Sequence, residues 1–125
     1  MRQAGVLAAA GLVALAETPQ RLHLDHENSR YLAGALTELP GIRIDPGGVV
    51  TNIVIVDVSG TGFTAAEISQ QLLARGILAN ATSPADLRMV THYDVNRAGC
   101  ERAVKAFGEI VGTAAGVGST SAGHA

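Results

Sequence analysis

At 125 residues with a formal net charge of −2, the chain has the length of one domain and gives no electrostatic case for binding nucleic acid or an anionic membrane. Aromatic residues make up 3% and tryptophan is absent, so the core must be Leu, Ile, Val and Ala, with no stacking platform for single-stranded nucleic acid. The single cysteine, Cys100, excludes an intrachain disulfide, and no CxxC or Cys/His cluster offers a metal site.

Residues 2–16 read as a helix, rich in Ala and Leu, with only Val6 and Val13 β-branched. Thr18-Pro19 predicts a restart, Thr as N-cap and Pro at the first helical position. A second helix runs to about Leu39, with Leu22, Ser29, Leu32, Leu36 and Leu39 as its buried stripe. Pro40-Gly41 stops it. Ile42-Arg43-Ile44 alternates as a short strand, and Asp45-Pro46-Gly47-Gly48 is a turn. Thr51 to Val58 is a β-branched run and the strongest strand. After the Gly60–Gly62 loop, Thr64 caps a third helix to Arg75, with Glu67 completing a capping box. Ile68, Leu72 and Leu73 form its buried side. Ile77 to Ala79 reads as a strand, 82–86 as a turn, and Leu87 to Thr91 as another strand. Asp94 or Asn96 caps a last helix from about Val95 to Val111, with Val104, Phe107 and Val111 at helical spacing. The tail 112–125 is small and polar and reads as disordered. The expected fold is α/β (α+β): strand pairs joined by tight turns make a small, mainly antiparallel sheet with helices on one face.

The start of the chain admits two readings. Met1-Arg2-Gln3, an apolar stretch to Ala16 and the Ala14-Leu15-Ala16 triplet outline a secretory signal peptide. The same residues fit an apolar helix buried in a folded protein. The stretch is too short for a bilayer span, which takes about 20 apolar residues.

Arg88 is the first candidate for chemistry. A guanidinium on a strand can grip a carboxylate through two parallel hydrogen bonds; the alternative is a surface arginine on a solvent face. His92, just after that strand, is either a general base or a loop hydrogen-bonding residue, and Asp94 reads as a helix cap. His23 and His26 share a helix face beside Asp25 and Glu27, but no third ligand is evident, and the pattern is that of a solvated face. Cys100 has no neighbouring His or Lys in sequence and reads as a packed residue rather than a nucleophile. The Gly60-Thr61-Gly62 loop is no dinucleotide fingerprint.

The runs MRQAGVLAAAGLVAL and LRMVTHYDVNR, with a TNIV strand between them, resemble segments of the low-specificity L-threonine aldolases, pyridoxal phosphate enzymes of fold type I related to the β-eliminating lyases. The resemblance spans residues 1–111 and implies a carboxyl-terminal part of such an enzyme: a buried interdomain helix over 1–17 and a small domain over 18–111. It implies that Arg88 binds the substrate α-carboxylate and that Arg2 lies near the cofactor. Holding the carboxylate would fix which Cα bond stands perpendicular to the cofactor π system. The full enzyme would be a cytoplasmic homo-oligomer, a homotetramer, cleaving threonine or allo-threonine to glycine and acetaldehyde. The Schiff-base lysine of the family has no counterpart, since the one lysine, Lys105, falls in a late helix. The chain is therefore expected to be inactive alone. Rival readings are an exported, non-enzymatic α/β binding module and a piece of another fold type I β-eliminating lyase.

Overall fold

Helix formers on both sides of Pro19 carry one helix straight through it. In the computed structural model, which describes residues 4–92 and 94–120, helix α1 spans Ala4–Thr37 with Pro19 inside. The expected restart at Thr18-Pro19 is not observed. A mid-helix proline removes one main-chain donor and crowds the carbonyl four residues back. Here that turn is exposed, so water can satisfy the freed carbonyl. The helix is about 51 Å long at 1.5 Å per residue. Only its last third enters the core, through Ser29, Leu32, Ala33 and Leu36. Leu22, expected in the buried stripe, is exposed, because the stripe runs past the end of the sheet.

Strand β1 is Ile53–Asp57, β2 is Asn80–Ala81 and β3 is Asp86–Val90. They form an antiparallel sheet in the order β1-β3-β2. Val54 and Val56 on β1 and Leu87 and Met89 on β3 face inward, while Ile55, Arg88 and Val90 face out, as the two-residue period requires. Helix α2 (Ala65–Ala74) and helix α3 (Arg97–Thr120) join α1 over the inner face. The α+β architecture with helices on one face is as the sequence predicts. Thr64 caps α2 with both bonds of the capping box: the Glu67 N–H donates to Thr64 Oγ1 at 3.2 Å, and the Thr64 N–H to Glu67 Oε2 at 2.8 Å. Leu73, expected inside, is exposed; it lies about 100° round the helix from Leu72, which is buried.

Three other elements differ from expectation. Residues 42–44 make only an isolated bridge, Arg43 to Asp57. The strand expected at 77–79 begins instead at Asn80. Gly76, at φ +76°, closes α2 in a left-handed turn, and the Ile77 N–H still donates to Leu72 O. Those residues are held by the helix end and cannot join the ladder. Helix α3 continues beyond 111 to Thr120, into the stretch expected to be disordered, where Ala114 and Ala115 favour a helix. Residues 121–125 lie outside the described residues. Among the described residues no helix is long and apolar enough to cross a membrane.

Two loops cross backbone to backbone at Gly41 and Gly60. A Cβ on Gly41, whose φ is +78°, would collide with the Gly60 carbonyl, whereas one on Gly62, at φ +83°, would meet open space. The pair separates backbone strain from collision. Gly62→Ala should cost about 1–2 kcal/mol, the left-handed penalty alone, and Gly41→Ala at least about 2 kcal/mol more, since main chain must move. Urea unfolding of both variants gives the comparison; equal losses would show that the crossing is not a fixed contact.

Candidate functional site

The centre of β3 sets the site. Leu87 and Met89 take the core-facing positions, which sends Arg88 to the uncovered face. Arg88 stands there between its cross-strand partners, Ile55 on β1 and Asn80 on β2. The Arg88 side chain is exposed and joins no described residue by hydrogen bond or ion pair. A guanidinium next to apolar Ile55 and Val90, with its donors free, is suited to a planar anion arriving from outside.

Beside Arg88 opens a cleft of about 720 Å³, between the β2–β3 edge and the start of α3. Buried Leu32, Met89, Cys100 and Ala103 supply apolar lining; Arg88, Asn80, His92, Asn96 and Arg102 supply polar lining. The α3 side is fixed by Asn96, whose Oδ1 accepts the Gly99 N–H at 2.8 Å and so caps the helix. Asp94, the other expected cap, instead turns to His92: its N–H donates to His92 Nδ1 at 3.3 Å, and its carboxylate lies 3.9 Å from the same nitrogen. Because Nδ1 accepts, the neutral ring carries its proton on Nε2. This favours the loop-organising reading of His92 over that of a general base.

The remaining candidates fall apart in space. Arg2 lies outside the described residues. His23 is exposed and His26 half-buried on α1, and among the described residues no three His, Cys, Asp or Glu side chains gather around a possible ion. Asn80 and Arg102 are cleft residues that the sequence reading missed. For Asn80 the signal was present: it alternates with Ala79, which is buried, once the strand start is placed three residues later.

Cys100 lines the cleft but is buried, and burial pushes its thiol above the ordinary range, with Arg97 opposing the shift and Glu101 adding to it. A raised pKa leaves the thiol protonated at neutral and mildly alkaline pH, so it is a poor nucleophile. Iodoacetamide at pH 8 should alkylate Cys100 in the folded chain at least tenfold more slowly than in urea, roughly the effect of 1.4 kcal/mol or more of local opening. Equal rates would show that the α3 side of the cleft is open to solvent.

Residues 1–60 match the family profile described as beta-eliminating lyase. Over 96 residues the chain is 38% identical to low-specificity L-threonine aldolase 1 of Arabidopsis thaliana, covering 76% of this chain and 27% of that protein. Over 99 residues it is 41% identical to the low specificity L-threonine aldolase of Escherichia coli (strain K12), covering 78% of this chain and 27% of that protein. Among solved structures, a NifS-like protein superimposes with a TM-score of 0.68 at 14% identity, over 81% of this chain and 31% of that one. The fold is that found in pyridoxal phosphate enzymes of fold type I. Within that class, the first 60 residues match the beta-eliminating lyase profile, and about three quarters of the chain is similar to low-specificity L-threonine aldolases. The chain spans about a quarter of the length of the curated relatives it matches.

That family implies pyridoxal phosphate, and the described residues do not fit it. The cofactor needs a lysine amine within a closed site. The sole lysine, Lys105, is exposed on α3 and does not line the cleft.

Proposed function

We propose that the chain is the carboxyl-terminal small domain of a threonine aldolase, led by the helix that joins it to a cofactor domain. In the whole enzyme, L-threonine or L-allo-threonine loses its Cα–Cβ bond. The β-hydroxyl gives up its proton as acetaldehyde departs, and Cα takes up a proton to leave glycine. The part assigned to this chain is to hold the substrate α-carboxylate on Arg88. The observation that carries the reading is the Arg88 guanidinium at the edge of the cleft, which pairs with no described residue. A carboxylate gripped by two parallel N–H bonds cannot rotate freely, so the direction of the Cα–Cβ bond is set before chemistry begins. Lysine would supply the charge without the fork. A cytoplasmic homotetramer, with Arg2 near the cofactor, belongs to the same proposal.

The amino-terminal half of α1 supports the interdomain assignment. Leu12, Val13 and Leu15 are 70%, 58% and 72% exposed, an apolar surface that a cofactor domain would cover. Left open, apolar patches beyond a few hundred Å² drive association. The chain by itself should form oligomers at micromolar concentration, and deleting residues 1–16 should relieve this. Sedimentation showing a monodisperse monomer of the full chain would count against the buried-helix assignment.

The carboxylate assignment is tested with the chain joined to the upstream part of a related aldolase. A charged two-point contact is worth about 2–4 kcal/mol, so Arg88→Ala should lower kcat/KM by roughly 30- to 1000-fold. Arg88→Lys should recover only part of the loss. Cofactor retention should be unchanged in both variants. A change in kcat/KM of less than about threefold, under 1 kcal/mol, would return Arg88 to the status of a surface arginine.

A further inference from the structure

Strand β2 is two residues long and β3 is five, so one edge of β3 is left open beyond Asn80. The hydrogen-bond register says which groups are exposed there. The Thr91 N–H donates to Asn52 O at 2.9 Å, on the β1 side. In an antiparallel ladder alternate residues turn their N–H and C=O to opposite sides, so Val90 turns its own toward the β2 side. Pairing in register would require residue 78, but Leu78 is outside the strand, and no hydrogen bond joins it to Val90. The Val90 N–H therefore opens into the cleft, which both Val90 and Leu78 line.

Asn80 stands directly opposite Arg88 on the same sheet face. Opposed residues have Cβ atoms about 4.5–5.5 Å apart, so one small anion can touch both side chains. The Asn80 side chain is exposed and makes no hydrogen bond to a described residue. Its backbone, by contrast, is fixed from both ends. Ser69 Oγ on α2 donates to the Ala79 carbonyl at 2.6 Å, and Asn80 itself pairs with Arg88. A polar group with a held main chain and free donors, next to an unpaired guanidinium, is placed for a ligand.

We infer that Asn80 is a second carboxylate-binding residue, acting beside Arg88 at the open edge of β3 with the Val90 N–H as a third donor. The inference rests on the proposed role of Arg88 and extends it. Two guanidinium donors fix the carboxylate plane; an amide donor from the neighbouring strand and a main-chain N–H from the edge fix its position along β3. All three donors come from the sheet, so the site is rigid without the rest of an enzyme. The ligand class is a small monocarboxylate, such as the α-carboxylate end of an amino acid.

Ligand-observed NMR on the full chain tests this with sodium [¹³C]acetate as the probe, and works whatever the state of association. Acetate lines should broaden in proportion to the chain, and methylammonium at the same concentration should not respond. Arg88→Ala should remove the broadening. Asn80→Ala should weaken acetate binding about three- to tenfold, the span of one solvent-facing hydrogen bond. Asn80→Asp should weaken it further, because a second carboxylate repels the ligand. Both positions are exposed, and unchanged thermal melts would establish that the variants fold. If Arg88→Ala abolishes binding while both Asn80 variants bind like the parent, Asn80 is not a ligand and the Arg88 reading stands. If Arg88→Ala binds acetate unchanged, or the parent chain binds none, the Arg88 reading falls and this inference falls with it.

Discussion

The arrangement depends on a buried polar knot where α1 crosses the end of the sheet. Thr91 Oγ1 donates to the Asp25 carbonyl of α1 at 2.8 Å, and Ser29 Oγ reaches the Thr51 carbonyl at 2.6 Å. Asn52 Nδ2 donates to Thr91 O at 2.7 Å, and Asn28 Nδ2 to Val95 O at 3.3 Å. Both hydroxyl-bearing residues are almost fully buried, and no buried side-chain polar atom among the described residues lacks a partner. Strand ends leave carbonyls that must be paired in a dry interface. Here α1 and the strand ends satisfy one another through short side chains. Apolar packing by Leu32 and Leu36 could slide along the sheet; hydrogen bonds to single carbonyls fix the crossing point.

The cleft follows from that fixed point. Thr91 belongs to the knot and is the first residue after β3, so the segment carrying His92 leaves the sheet in a defined direction. Asn28 holds Val95, and the Arg97 guanidinium lies 4.1 Å from the centre of the Tyr31 ring, a further hold on the same segment by a cation over an aromatic face. Helix α3 therefore begins beside α1 and leaves a gap opposite β2. On the far side, the glycine turn at the end of α2 and the Ser69 bond to Ala79 delay β2 until Asn80. A long β3 beside a late, short β2 produces an open edge, with Arg88 at its last paired position.

Much of this could be read in the sequence, for local reasons. The capping box at Thr64 and Glu67, the buried alternation of Val54 and Val56 and the inward Phe107 all depend on neighbours within a few residues. So does the outward side of Arg88 between Leu87 and Met89. What could not be read depends on distant partners. Whether Pro19 ends a helix or interrupts it is decided by exposure of that turn, and exposure is set by where the sheet stops. Residues 77–79 have strand-like composition, yet Leu72 and Ser69 claim their backbone groups from the preceding helix. Cleft membership of Asn80 and Arg102 needs both the strand shift and the position of α3, and no periodicity carries that. Arg88 stands out in the sequence because it is charged on a strand; Asn80 does not, because an asparagine before a turn has an adequate local explanation.

Under the proposed function, the two open surfaces of this chain have one physical explanation. A free-standing small domain would gain by covering its outer sheet face and by shortening α1 to its buried third. This chain instead leaves Ile55 and Val90 partly open around an unpaired guanidinium, and leaves Leu12, Val13 and Leu15 in water. Apolar exposure on this scale costs stability and solubility. In the proposed enzyme both surfaces would meet the same cofactor domain. On that proposal the cofactor domain would cover the helix and bring its ligand to the open sheet edge, where Arg88 has no competing ion pair among the described residues. A carboxylate from Asp or Glu beside Arg88 would have made a more self-sufficient surface and a blocked site. Across the sheet, the two positions opposite Arg88 are held by an isoleucine and an asparagine. Both are neutral and neither can neutralise the guanidinium, so the charge remains for an anion arriving from outside.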